Sequence, residues 1–270
     1  MEAGKIKIDN LKGLVLDQIT SNNPDVLVGP KVGEDSAIID FGEFVAVMST
    51  DPITGVQEGM GSLAVNVACN DIAANGAKPI GIQQALLVPP ETKEDEVVAI
   101  VEDINDAAQK LEIDVLGGHT EVTDIVKQPL VSCTAIGKTS KDKFVTSSDA
   151  EIGDEIIVTK WTALEGTSIL ANDFAEKLQK LGVSDDELSA ACNLAQEISV
   201  IPEGMIGADL GVNAMHDVTE GGLYGALYEL TEAAEVGFDL YEEELPIHPS
   251  TRAISQALSI NPYHLIGSGM

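Results

Sequence analysis

The clearest periodicity in the chain lies between Thr92 and Leu111. There Val97, Ile100, Val101, Ile104, Ala108 and Leu111 recur at helical spacing, and acidic residues crowd the first turn, where the positive end of a helix favours them. A second helical stretch runs from Ser62 to Asn75, with Ser62 placed as N-cap and Asn75-Gly76 as the stop. A third is read from Lys12 to Thr20, closed by the turn residues Ser21 to Pro24. Between these, Ser36–Asp40 and Phe44–Thr50 alternate as two short strands around a Phe41-Gly42-Glu43 turn, and Pro79–Val88, Val115–Leu116 and Leu130–Gly137 read as further strands.

Apolar patterning lapses from Lys138 to Asp154 and then resumes. Strands are predicted at Glu155–Lys160, Val212–Met215 and Phe238–Tyr241, and helices at Leu164–Phe174, Asp186–Ser199, Pro202–Leu210, Thr219–Ala234 and Ser250–Leu258. The lapse divides the chain into domains 1–145 and 146–270, each mixing strands and helices, so the fold class is α+β. The stretch Leu265 to Met270 reads as the entrance to another strand, which leads us to expect a second domain truncated at its C-terminus.

Charge changes the picture more than composition does. Forty-five Asp and Glu against fifteen Lys and Arg leave a net charge of −30, the single arginine is Arg252, and the lysines are scattered along the sequence. Such a field repels polyphosphate backbones and anionic bilayers, so neither nucleic acid nor membrane is an expected partner. Cys69, Cys133 and Cys192 sit apart in apolar surroundings with no CxxC pair, which points to reduced core thiols in a cytoplasmic protein.

Five short segments combine small residues with carboxylates near predicted strand ends or helix starts. In Gly29-Pro30-Lys31-Val32-Gly33-Glu34-Asp35, the glycines allow backbone amides to approach a phosphate, Lys31 supplies a cation, and Glu34 and Asp35 can bind magnesium; taken alone, such a loop is more often a plain turn. Asp51 follows a strand end before Pro52. Asn66, Asn70 and Asp71 share an otherwise apolar helix and need a ligand, a metal or an internal network to satisfy them. His216-Asp217-Val218-Thr219-Glu220-Gly221-Gly222 opens a helix with two glycines, a geometry suited to anions, with Thr219 as a possible N-cap. Gly117-Gly118-His119-Thr120-Glu121 follows another strand. Five such clusters together suggest a polar cavity suited to magnesium and a polyphosphate.

Taken in order, these segments resemble the superfamily of aminoimidazole ribonucleotide (AIR) synthetase, selenophosphate synthetase, thiamine-monophosphate kinase and the hydrogenase maturation factor HypE. Gly33-Glu34-Asp35-Ser36-Ala37 looks like the GDDAA loop, Thr50-Asp51 like the TD strand end, and Asn70-Asp71-Ile72-Ala73 with Gly76-Ala77-Lys78-Pro79 like the ND helix. His216 to Leu223 is similar to the HDxTxGGL element of the HypE branch. The resemblance implies an N-terminal domain that pairs with a second subunit as a dimeric β-barrel, a C-terminal α+β domain, and ATP with Mg2+ in the cleft. It implies Asp35, Asp51, Asp71 and Asp217 as metal ligands. Gly29, Lys31, Gly33, Asn70, Thr219, Gly221 and Gly222 would contact the nucleotide, while Asp217, His216, Glu220 and His119 would serve the chemistry.

Within the superfamily the HypE branch implies an ATP-dependent enzyme that dehydrates a carbamoyl group for metallocentre assembly, working as a homodimer with an assembly-protein partner. The alternatives on the same scaffold are a small-molecule kinase, an AIR-synthase-like ligase, or a nucleotide-binding assembly protein without turnover. Three departures stand out: His119 occupies the place of an expected aspartate, Ser268-Gly269 replaces an expected Glu-Gly, and Met270 ends the sequence without the terminal cysteine of the branch. Because ATP carries about −4, a chain of charge −30 should bind it only with a divalent cation between them.

Overall fold

The computed structural model describes residues 4–54 and 59–270. Among them, strands β1 (Val26–Val28), β2 (Ala37–Asp40), β3 (Phe44–Ile53), β4 (Lys78–Val88), β5 (Asp114–Val122) and β6 (Leu130–Ser140) form one sheet in the order β1-β2-β3-β6-β4-β5. Every neighbouring pair is antiparallel except β4 and β5, which are parallel. Parallel strands need a crossover, and the amphipathic helix between them supplies it. The helices are α1 (Ile8–Leu14), α2 (Met60–Ala74), α3 (Glu94–Lys110), α4 (Leu164–Asp173), α5 (Ala175–Lys180), α6 (Asp185–Asn193), α7 (Ile201–Leu210), α8 (Gly222–Ala234) and α9 (Pro249–Leu258).

Helix α2 is apolar and small on nearly every side, the pattern of a helix buried all round. It packs on the inner face of β3, β6 and β4, with α3 beside it and α7 behind it. Strand alternation matches this: Val45 and Val47 of β3 and Val131, Cys133 and Ala135 of β6 point inward to one core with Ala64, Ala68 and Ile72. Gly204 of α7 sits so close to α2 that a Cβ there would lie 2.3 Å from the Ala73 carbonyl oxygen. Gly204→Ala should therefore cost about 1–3 kcal/mol by forcing the two helices apart, read as a lower urea midpoint at unchanged slope.

The two halves are joined through this helix. Asn70 donates from Nδ2 to the Ile198 carbonyl at 2.9 Å and accepts from the Val200 amide at 2.9 Å, while Ile198 itself enters the core of the first half. The second half contributes two smaller apolar clusters, one centred on Leu178, Leu188 and Ile254 and the other on Val218, Leu223 and Leu227.

Several sequence expectations change. The helix read over Lys12–Thr20 lies earlier, at Ile8–Leu14, followed by a short 3-10 turn at Leu16–Gln18. The first strand, β1, was not foreseen. The strand read as Val115–Leu116 runs through Val122, so the Gly117–Glu121 cluster lies within a strand and not after one. Helix α8 starts at Gly222, leaving Thr219 in the preceding loop. The segments read as strands at 155–160, 212–215 and 238–241 form no ladder among the described residues. Their apolar side chains still pack, Val158 and Leu240 against the Val218–Leu223 cluster, but a strand also requires a backbone partner, and none faces them among the described residues. Cys69 and Cys133 are core thiols whose pKa burial pushes up to about 12. No helix of the described residues is long and apolar enough to cross a membrane.

Candidate functional site

Strand β3 leads into the site. Its inward alternation continues past Val45 and Val47 to Ser49, and the strand runs on through Asp51-Pro52-Ile53. Asp51 is thus within the strand and not beyond its end. Pro52 is tolerated because β2 pairs only with Val45–Met48, leaving that edge of β3 free where Pro lacks its donor. The Ser49 hydroxyl bonds Asp71 Oδ2, and lies 3.0 Å from the Asp35 carbonyl oxygen and 3.4 Å from Asp51 Oδ2. It is a hub to which the Ser49-Thr50-Asp51-Pro52 motif gave no role of its own, although the period-two alternation of β3 marks its inward position.

Three aspartates converge here from three stretches of chain: Asp35 from the loop before β2, Asp71 from α2, and Asp217 from the segment before α8. One carboxylate oxygen of each lies within 4.8 Å of the others. Asp71 and Asp217 are buried, at 5% and 3% exposure, and Asp217 Oδ2 has no hydrogen-bond partner. Burial, then the charges of Asp217, Asp51 and Asp35, holds Asp71 well above the ordinary carboxylate range. Burial and Asp35 raise Asp217 to about 7 against the opposing pull of His216. Carboxylates gathered so closely need a proton or a cation among them.

His216 is the basic neighbour. Its Nδ1 lies 3.1 Å from Ser147 Oγ and 3.4 Å from Asp35 Oδ2, and its Nε2 lies 3.4 Å from Glu229 Oε2. Burial alone would lower its pKa, but the Glu229 hydrogen bond and the charges of Asp35, Asp217 and Glu229 prevail and raise it. Glu229 in turn takes a hydrogen bond of 2.9 Å from Lys5 Nζ. The chain Lys5–Glu229–His216–Asp35 runs from α8 and the N-terminal segment into the cluster. Neither Lys5 nor Glu229 stands in a recognisable motif, so only their long-range contacts identify them.

A cavity of about 620 Å³ opens onto the cluster, within the size range of small-molecule sites. Of the residues singled out in the sequence, Lys31, Gly33, Glu34, Asp35, Asp51, Asp71, Thr219 and Glu220 line it. Lys31 Nζ is held by the Ala233 carbonyl at 3.2 Å, and Glu220 accepts from the Lys5 backbone amide at 3.1 Å. Gly33, with φ +78°, lies so close to α8 that a Cβ would meet the Glu229 carbonyl oxygen at 2.4 Å. Gly221 caps α8, and Gly222 packs on the carbonyls of Tyr263 and Leu265, so both glycines fix the entry to the helix. Glu34 faces inward and accepts from the backbone amides of Ser147 and Ser148 at 3.4 and 3.0 Å.

The remaining positions lie elsewhere. Gly29 packs near Ser21 and Val26, outside the cavity lining. Both ends of the Asn70 amide are committed to the 198–200 backbone. His119 sits on β5, three strands from β3 in the sheet order, exposed and 3.3 Å from Glu121. Three spacings of about 4.8 Å put it on the order of 14 Å from the strand that bears Asp51, out of reach within one chain.

Comparison with known proteins gives a consistent picture. The sequence profile described as AIR synthase related protein, N-terminal domain, matches residues 33–139, and the corresponding C-terminal domain matches residues 151–266. A hydrogenase expression/formation protein of Methanocaldococcus jannaschii is 28% identical over 271 residues, covering 98% of this chain and 78% of that protein. The carbamoyl dehydratase HypE of Bradyrhizobium diazoefficiens is 25% identical over 244 residues, covering 88% of this chain and 68% of that protein. Among solved structures, AaThiL complexed with AMPPCP and TMP superposes with a TM-score of 0.76 at 18% identity, covering 98% of this chain and 84% of that one. HypE in complex with ATP superposes with a TM-score of 0.67 at 22% identity, covering 99% and 77%. At these identities the superpositions establish a shared fold.

Proposed function

This chain belongs to the AIR synthase related family, and from that premise we propose that it is a magnesium-dependent, ATP-using enzyme of the HypE branch, acting on a carbamoyl-type group. The observation that carries this reading is the convergence of Asp35, Asp71 and Asp217 within 4.8 Å beside a cavity of nucleotide size. The donor set fits magnesium: carboxylate oxygens are hard ligands, and the buried, partnerless Asp217 Oδ2 supplies one aimed at no protein donor. Asp35, Asp71 and Asp217 would hold the ion, with Asp51 beside them. Bound there, magnesium would neutralise the charge that triphosphate and carboxylates would otherwise set against each other.

The remaining work falls to the chain itself. Phosphoryl transfer depends on positioning and charge neutralisation more than on covalent chemistry. His216, whose affinity for a proton Glu229 and Asp35 raise against the effect of burial, stands beside Asp35 and Asp217 and fixes their orientation. Lys31 offers a second cation on the cavity wall, and the Thr219–Gly222 loop presents backbone groups at the start of α8. In a thermal-shift assay, ATP with magnesium should raise the melting temperature, whereas ATP with EDTA should not. The absence of a shift at millimolar magnesium-ATP would rule the reading out.

The same reading makes the chain a homodimer that works with a metallocentre-assembly partner. Every residue of β5 is exposed, including Val115, Leu116 and Val122, and the helices that pack on the sheet cover only one of its faces. An apolar strand edge left open in this way invites pairing with a second copy. Sedimentation should give a dimer, and Leu116→Lys combined with Val122→Lys should shift it to monomer. A wild-type monomer at tens of micromolar would contradict the pairing.

A further inference from the structure

All four tyrosines of a chain with few aromatic residues lie between positions 224 and 263, and the fold brings them to one surface of the second half. Tyr224 and Tyr228, four apart on α8, share a helix face, while Leu223, Ala226 and Leu227 turn inward to the apolar cluster. The ring centroids of Tyr224 and Tyr263 lie 5.3 Å apart, and the His264 ring meets Tyr224 edge-on at 5.0 Å. A short 3-10 turn at Glu242–Glu244 closes the group. The Tyr224 hydroxyl donates to the Glu242 carboxylate, and the Tyr263 hydroxyl donates to the Glu242 carbonyl at 3.2 Å. Tyr241 immediately precedes that turn.

Internal packing accounts for only part of this group. Tyr224 and Tyr263 are half-buried, and Tyr263 packs against the Val218–Leu223 cluster. Tyr228 and Tyr241, by contrast, are 48% and 61% exposed, and none of the four tyrosines lines the cavity at the aspartates. Exposed rings beside anchored ones are the make-up of an interface core, because tyrosine offers a large rigid contact area at little cost in side-chain freedom.

Charge decides what the surface takes. From Leu181 to Met270 the chain carries fifteen acidic residues against one basic residue, Arg252. Glu242, Glu243 and Glu244 stand side by side and exposed, and the side chains of Glu243 and Glu244 make no hydrogen bond or ion pair among the described residues. Such a surface repels nucleic acid and phosphate. A second copy of this chain offers only one arginine, so self-association does not supply the complement. Aromatic faces next to unpaired carboxylates suit the guanidinium group, which stacks on a ring while its N–H groups reach carboxylate oxygens in pairs. An ammonium group lacks both the plane and the paired donors.

We propose that this tyrosine–glutamate surface docks an arginine-bearing segment of a partner protein. Guanidinium groups of that segment stack on Tyr228 and Tyr241 and donate to Glu243 and Glu244, while Tyr224, Tyr263 and Glu242 form the fixed floor. The surface shares no residue with the cavity or with β5, so it stands independently of the ATP-using and dimeric readings.

Two acetylated, amidated peptides of equal charge test this, Arg-Gly-Arg-Gly-Arg and Lys-Gly-Lys-Gly-Lys. They are titrated without nucleotide at about 0.15 M salt, where long-range attraction to the net charge of −30 is screened. Tyrosine labelled with 13C in the ring reports directly, because all four tyrosines belong to the surface. The arginine peptide should bind about fivefold or more tightly than the lysine peptide and shift the ring signals of Tyr228 and Tyr241. Tyr228→Ser combined with Tyr241→Ser leaves the net charge unchanged and should erase that preference, with a melting temperature within about 2 °C of wild type. Glu243→Gln with Glu244→Gln should weaken the arginine peptide several-fold. Asp185→Asn with Asp186→Asn, the same change in charge placed on α6, should not. Equal affinity for the two peptides, an unchanged preference in the tyrosine variant, or equal weakening by the two carboxylate pairs would overturn the proposal. So would a larger fall in melting temperature, which would make the two rings packing residues.

Discussion

Asp71→Asn is expected to weaken magnesium-dependent ATP binding by about 100-fold or more, since it removes the charge of the aspartate at the centre of the cluster. The same change should leave the metal-free protein at least as stable as wild type. Asp71 is buried with three other carboxylates around it, and its ionised form is disfavoured where it stands. An amide keeps the shape and the Ser49 contact while dropping the charge. Loss of binding together with retained or increased stability is the signature of a ligand position. Loss of both would point to a structural role, and retention of binding would remove Asp71 from the site.

Asn70, the adjacent residue, should behave in the opposite way. Its side chain is fully buried and ties α2 to the 198–200 backbone through one donated and one accepted hydrogen bond. Asn70→Ala leaves a buried carbonyl and a buried amide unpaired and opens a small void, a loss of about 2–4 kcal/mol. For a chain of this length that corresponds to a drop of roughly 5–15 °C in melting temperature. Magnesium-ATP affinity, measured well below the transition, should fall far less than in Asp71→Asn. If the melting temperature stayed put while affinity collapsed, Asn70 would be a nucleotide contact after all. Neighbouring residues on one helix thus divide the labour, one holding the two halves together and the other facing the cavity.

This division could not be read from the sequence. Asn70 and Asp71 are both polar intrusions in an apolar helix, and a string of letters does not say which satisfies itself internally. The convergence of Asp35, Asp71 and Asp217 was legible, because each sits in a short motif whose order along the chain matches a known family. Ser49 could be recovered from strand parity alone. Lys5 and Glu229 could not, since their roles come from a contact across the fold, Lys5 with Glu229 over 224 positions of sequence. His119 shows the reverse case. Its glycine-rich setting suggested chemistry, yet it lies within β5, the strand at the far edge of the sheet.

The second half was harder to read than the first. Its apolar alternation at 155–160 and 238–241 is real and its side chains pack, but alternation reports which face is buried and not whether a backbone partner exists. The first half had no such gap. There, each predicted strand found a neighbour, and α2, apolar all round, could only be a central helix.

The most direct test of the account is an isothermal titration of ATP into the wild-type chain, with magnesium and then with EDTA, repeated for Asp217→Asn. The carboxylate cluster and the net charge of −30 together predict saturable binding to wild type with magnesium, none with EDTA, and severe weakening in the variant even with the metal present. Equal ATP affinity with and without magnesium, or an Asp217→Asn variant that binds like wild type, would contradict the assignment of Asp35, Asp71 and Asp217 as the metal-holding centre of a nucleotide site.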